Sequence, residues 1–195
     1  QEIYDISFLA MPSTGPDVIP LLEEKIEKLE KRKQNGEYFG SPEAPRVLVT
    51  GCPVGGDAAK IFHIIEEAGG IVVAPDSCTG TRIFNHDIAE NTGDPIGAMA
   101  ARYLKLPCAC MTPNNGRMQA LSNLIETYRP DAVIDFILQA CHGYNVESRR
   151  VADHVTQNHG LSFLKVETDY SDADVGQLKT RIEALFETLP QTAVN

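Results

Sequence analysis

Nowhere in this sequence does an apolar run approach the roughly 20 residues that a membrane-spanning helix needs. A basic excess is missing as well. The 17 Lys and Arg stand against 27 Asp and Glu, for a formal charge of −10 with no basic stripe. That balance argues against a nucleic-acid backbone or an anionic membrane as partner. The opening QEIYDISFLAMP has no basic n-region, so it does not read as a secretory signal. No Cys-x-x-Cys pair occurs, which removes the compact zinc module and the thioredoxin-type redox pair. The Gly-rich stretch GCPVGGDAAK lacks the Lys-Ser/Thr ending of a phosphate-binding loop and the spacing of a dinucleotide fingerprint.

What is present is enough for a folded domain: 195 residues, 43% of them hydrophobic. The five cysteines are an odd number spread through an α/β pattern. They point to a reducing compartment, expected to be the cytoplasm, and to metal or redox work rather than a disulfide scaffold. The chain opens at Gln1-Glu2 without a methionine and is read as a piece of a longer protein, so some partners of its site are expected elsewhere.

In chain order, residues 3–11 are apolar without a clear period and are expected to pack against something absent. Leu22, Ile26 and Leu29 mark one face of a helix whose remaining faces are charged, and Gly36, Gly40 and Pro42 end it. β-Branched apolar runs at 46–50, 71–75, 132–138 and 161–167 read as strands. Helical spacing follows the first run to Ala68. It recurs from Asp94-Pro95, with Ile96, Met99, Ala100, Tyr103 and Leu104 as its buried face, and from Asn115, with Met118, Leu121, Ile125 and Tyr128. Two further helices are expected at about 144–158 and from Asp174, the last with Val175, Leu178, Ile182, Leu185 and Leu189 inward. Residues 107–111 are too short for more than an edge strand or loop, and residues 79–92 read as a loop with a short helix inside. Each interval between strands holds a helix, so the strands are expected to be parallel with right-handed crossovers. The expectation is an α/β, flavodoxin-like (Rossmann-like) four-stranded sheet of order 2-1-3-4, with helices on both faces and a helical connector before it.

In such a sheet the strand exits share one edge. The first three strands run into Gly51-Cys52-Pro53, Ser77-Cys78-Thr79 and Ala140-Cys141-His142, and the fourth into Asp169-Tyr170. Cys52, Cys78 and Cys141 are therefore expected to converge, although they lie far apart in sequence. Cys78 and Cys141, flanked by glycine and polar residues, read as functional. Cys108, between apolar neighbours, reads as core filler, and Cys110 stays open. Separated soft ligands from one edge suit an iron–sulfur cluster. His142 reads as a hydrogen-bond partner of sulfur or substrate ahead of a ligand. The second reading of the same edge, from another function class, is a redox-silent module that binds a nucleotide or anion at a helix N-terminus.

Four stretches carry a resemblance: GCPVGGDAAKIFHIIEEAGGIVVAPDSCTGTR, ARYLKLPCAC, DAVIDFILQACHGYNVES and VETDYSDADVGQLKTRIEALFE. Residues 46–189 resemble the C-terminal domain of the 2-hydroxyacyl-CoA dehydratase D-component and benzoyl-CoA reductase subunit family. The GCP and PDSCTGTR motifs are closest to its double-cubane-cluster branch. The resemblance implies two flavodoxin-like domains around a helical region, with an iron–sulfur cluster (4Fe-4S or double cubane) between them. It implies low-potential electrons from an ATP-hydrolysing iron–sulfur activator and a paralogous or identical partner subunit. In dehydratase members an acyl-CoA thioester is reduced to a ketyl radical that sheds water. By position, Cys78 and Cys141 match the family's cluster cysteines, and Cys52 is an extra candidate from the GCP motif. No catalytic residue is assigned. Residues 1–40 then read as a helical connector from a missing N-terminal part, and 41–195 as the flavodoxin-like domain. The expected activity is that of an anaerobic dehydratase-like lyase or ATP-dependent reductase, with this piece inactive by itself.

Overall fold

The computed structural model describes residue 6 and residues 15–190. Of the apolar run 3–11, all but Ile6 lies outside the described residues. Helix α1 (Gly15–Gln34) buries no side chain, and Ile26 and Leu29 on its apolar stripe are exposed. It passes through Pro20.

Strands β1 (Arg46–Gly51), β2 (Ile71–Asp76), β3 (Ala132–Leu138) and β4 (Ser162–Thr168) pair in parallel, in the order β2-β1-β3-β4. This is the expected doubly wound arrangement. Helices α2 (Lys60–Glu67), α3 (Pro95–Tyr103), α4 (Asn115–Tyr128) and α5 (His142–His159) fill the connections, and α6 (Val175–Glu187) follows β4. Because side chains alternate along a strand, each strand feeds two cores. Val47, Val49, Ile134 and Phe136 pack with Ile61, Phe62, Ile65, Leu178 and Ile182, from α2 and α6. Leu48, Ala74 and Val133 pack with Met118, Leu121, Ile125, Val151 and Val155, from α4 and α5. Burying such a side chain fully contributes about 1.5–3 kcal/mol, so the sheet is held from both faces.

The same alternation carries a polar layer. Thr50, Asp76 and Asp135 share the parity of Leu48, Ala74 and Val133, so they face α4 and α5 at the carboxyl end of β1 and β2. All three are buried.

One expected face is overturned. Ile96 and Leu104 on α3 are 78% and 71% exposed, Met99 and Tyr103 are exposed too, and the buried residue of that helix is Arg102. The Asp94-Pro95 start stands as read, with the Asp94 carboxylate accepting from Gly97 N–H at 2.9 Å. The helix stands clear of the sheet, and among the described residues no element packs closely on its apolar positions. Residues 107–111 form turns rather than an edge strand.

Candidate functional site

Local geometry at the strand exits explains where the thiols go. β1 ends at Gly51, whose φ is +120°. A Cβ there would lie 2.1 Å from the Phe136 carbonyl oxygen, so only glycine lets β1 pass this close to β3. The crossing brings Cys52 N–H to Phe136 O at 2.8 Å and turns the Cys52 sulfur inward, where it accepts from Leu138 N–H at 3.3 Å. After β3, Ala140 takes a left-handed φ of +65°, and α5 starts at His142 rather than at Tyr144. Cys141 is therefore the N-cap residue of that helix, not part of a free loop, and its carbonyl accepts from Asn145 N–H. After β2, Ser77 and Thr79 hydroxyls lie 3.0 Å apart, and Thr79 Oγ1 donates to Val54 O, tying the β2 exit to the β1 exit. Cys78 lies between them, partly exposed.

The expected trio does not close into one cluster of ligands. Cys52 neighbours Cys141, whereas Cys78 interacts with Arg82, Tyr144 and Cys110. Among the described residues, no three His, Cys, Asp or Glu side chains are placed to hold a metal ion. Nor does Cys52 meet a thiolate-favouring helix end. A short 3₁₀ turn, Gly56–Ala59, precedes α2, and burial together with the Cys141 neighbour pushes the Cys52 thiol up to about 12. The same turn leaves the Gly-rich loop without a helix terminus for an anion. Lys60, the first residue of α2, is spent on Asp174 (2.6 Å) and on the Ser171 carbonyl. His142 is exposed at the start of α5.

Cys108 is half-buried and packs against the core, and it has polar neighbours as well. The Tyr144 hydroxyl donates to its sulfur at 3.7 Å. Burial would raise this thiol, but the Cys110 N–H, the Tyr144 hydroxyl, the Cys110 thiol and the Arg82 charge outweigh it and hold the thiol below its ordinary range. Its partner Cys110 is exposed and shifted upward, chiefly by its contact with Cys108.

Beneath the thiols lies a buried ionic network that sequence reasoning missed. Arg82, fully buried, grips Asp76 with Nε (3.2 Å) and Nη2 (2.9 Å) and donates from Nη1 to the Tyr144 hydroxyl at 2.7 Å. Burial works against the Asp76 charge, but Arg82 outweighs it and holds the carboxyl below the usual range. Thr50 donates to Asp76 at 2.7 Å and accepts from Arg117 at 3.3 Å. Arg117 also pairs with Glu147 and stands 3.6 Å from Asp135, with its guanidinium 4.8 Å from the Tyr144 ring centre. Asn114 joins Glu147 (2.6 Å) to the Cys108 carbonyl (3.0 Å). Two buried arginines are thus locked by carboxylates from two strands and a helix, and the lattice ends in contacts to the Cys108 loop. Two signals for it lay in the sequence: a charged residue inside the apolar run AVIDFIL, and paired opposite charges in PDSCTGTR.

A family model, 2-hydroxyglutaryl-CoA dehydratase, D-component, matches residues 1–189. The chain belongs to this dehydratase family. Among curated proteins it is 49% identical to the "Putative dehydratase subunit YjiM" of Escherichia coli over 145 residues, covering 74% of this chain and 38% of that protein. It is 23% identical to the (R)-2-hydroxyglutaryl-CoA dehydratase subunit beta of Acidaminococcus fermentans, over 93% of this chain and 53% of that subunit. It is 22% identical to the (R)-phenyllactyl-CoA dehydratase beta subunit of Clostridium sporogenes, over 75% of this chain and 38% of that subunit. The chain therefore spans about half or less of the length of these relatives. Among the described residues no helix is long and apolar enough to cross a membrane.

Proposed function

We propose that this chain is the thiol-bearing, flavodoxin-like C-terminal domain of a cytoplasmic iron–sulfur enzyme that dehydrates a 2-hydroxyacyl-CoA. In this reading Cys78 and Cys141 bind the cluster, with Cys52 a third candidate beside Cys141, and residues 1–40 connect to a further domain. The observation that carries it is the sulfur-rich sheet edge itself. Four free thiols, of Cys78, Cys108, Cys110 and Cys141, are open or partly open there, over a buried arginine whose charge favours an anionic sulfur group. Cys78 and Cys141 offer soft donors for one side of a cluster, and the remaining ligands are assigned to the part of the enzyme beyond this chain. When bound, the cluster supplies single electrons at low potential, delivered by an ATP-hydrolysing activator protein. The chain's own residues do three things. The Leu138 N–H hydrogen-bonds the Cys52 sulfur, the Arg82–Tyr144 pair places positive charge and a hydroxyl donor under the thiols, and the Asp76 clamp keeps Arg82 from reaching solvent. The three relatives are each named as subunits, which supports a second, paralogous or identical subunit as partner.

Two measurements test the reading. Full-length enzyme prepared without oxygen, supplied with activator, ATP and a 2-hydroxyacyl-CoA, is expected to form the enoyl-CoA only when ATP is present. Turnover by iron-free enzyme, or without ATP, would contradict it. For the third ligand, Cys52→Ser in the full-length enzyme is expected to lose about half its iron, as for one ligand of a cluster wider than one cube. An unchanged iron content returns Cys52 to a packed turn residue.

A further inference from the structure

Cys108 and Cys110 are not among the cysteines assigned to the cluster, and they lie two residues apart on one turn. Met111 N–H donates to Cys108 O at 3.0 Å, which makes residues 108–111 a β-turn with Cys108 first and Cys110 third. Asn114 Nδ2 and the Leu106 carbonyl hold the backbone of Cys108 at 3.0 and 2.9 Å, so the turn is anchored on the side of that residue. Cys110 lies close enough to Cys108 for each thiol to shift the other. Positions one and three of a tight turn bring Cα atoms within the roughly 4.4–6.8 Å that a disulfide spans. The two sulfurs differ in their surroundings. Cys108 receives a hydrogen bond from Tyr144, whose hydroxyl is in turn held by buried Arg82, while Cys110 is exposed to solvent. Such an environment marks out an attacking thiol beside a resolving one.

We propose that Cys108 and Cys110 form a reversible dithiol/disulfide couple that exchanges with small-molecule disulfides such as glutathione disulfide. The Cys108 thiolate attacks one sulfur of the oxidant and releases one glutathione as its thiolate. Cys110 then gives its proton to solvent and attacks the Cys108 sulfur, expelling the second glutathione. The two protein thiols are oxidised, one external disulfide is reduced to two thiols, and no other co-reactant is needed. Closing the bridge draws the Cys108 sulfur toward Cys110 and away from Tyr144. Ala109, between the two cysteines, packs 3.5 Å from where a Cβ on Gly143 would stand. The turn therefore stands beside the first turn of α5, next to Cys141, at the thiol edge. This inference needs neither cluster nor substrate.

The test uses the full chain, stripped of iron and equilibrated without oxygen in glutathione buffers of increasing disulfide fraction. Samples are quenched in acid, alkylated and mapped by mass spectrometry, with iron determined alongside. The expected result is a loss of about two mass units, with residues 108 and 110 unlabelled within one peptide, Cys78 and Cys141 still labelled, and a single midpoint. Cys110→Ser is expected to stop at a glutathione adduct on Cys108. A fully reduced turn in pure glutathione disulfide, a bridge between Cys52 and Cys141 instead, or a Cys110→Ser protein with no adduct on Cys108 would each overturn the assignment. Because the measurement is made on iron-free protein, its failure would leave the cluster reading untouched.

Discussion

Asp135 is fully buried in the middle of β3, and neither carboxylate oxygen makes a hydrogen bond among the described residues. Burial raises it to about 6, against the opposing charge of Arg117. A carboxyl raised in the fold binds its proton more tightly there than in the unfolded chain. Its contribution is therefore stabilising at low pH and is lost as pH rises from about 4 to about 6. Asp135→Asn is expected to remove this slope, altering the pH 4-to-6 change in unfolding free energy by an amount on the order of 2–3 kcal/mol. Urea titrations at several pH values would read it, and parallel slopes in variant and wild type would refute it. Asp76 has the opposite sign. Its lowered carboxyl stabilises above the unfolded value and loses that contribution as pH falls below about 4. Arg82→Met leaves Asp76 buried without its cation and is expected to cost about 3–5 kcal/mol, with Asp76→Leu in the same chain restoring part of it. These residues were poorly legible in the sequence. A buried charge is tolerated only beside its partners, and Arg82, Tyr144, Arg117 and Asp135 come together only once β2, β3, α4 and α5 have packed.

At the scale of elements the sequence was far more informative, because alternation and helical spacing are local properties. All four strands fell within a residue of their expected positions, and Leu178, Ile182 and Leu185 face inward from α6 as their spacing required. The failures sit where an element lacks a partner: α3 has amphipathic spacing, yet its apolar positions are exposed. Turn chemistry gives a sharp test. Gly51→Ala would need both a φ of +120° and a Cβ 2.1 Å from a backbone oxygen, and is expected to cost at least about 2 kcal/mol. Gly36→Ala, at φ +70° with open space around it, is expected to cost about 1 kcal/mol. Equal losses in thermal denaturation would mean that the β1–β3 crossing is not tight. In the exit loop of β4, Lys60 and Thr168 both hold the Asp174 carboxylate. Asp174→Ala is expected to raise hydrogen exchange in residues 168–174 while leaving β3 protected. Unchanged exchange in that loop would remove the clamp from the account.

For the molecule as a whole, two cores on the two faces of a four-stranded sheet are expected to hold the fold without metal. The far-ultraviolet circular dichroism of the chain is expected to be the same with and without a strong chelator, and loss of helix signal would make metal structural. The thiols at the sheet edge are then free for function. The central claim is that Cys78 and Cys141 hold an iron–sulfur cluster in the full-length enzyme. It is tested most directly by iron and acid-labile sulfide per chain in oxygen-free preparations of wild type, Cys78→Ala and Cys141→Ala, each checked for wild-type circular dichroism. Both variants are expected to fold normally and to lose most of their iron and sulfide. Folded variants that keep the wild-type iron and sulfide content would contradict it.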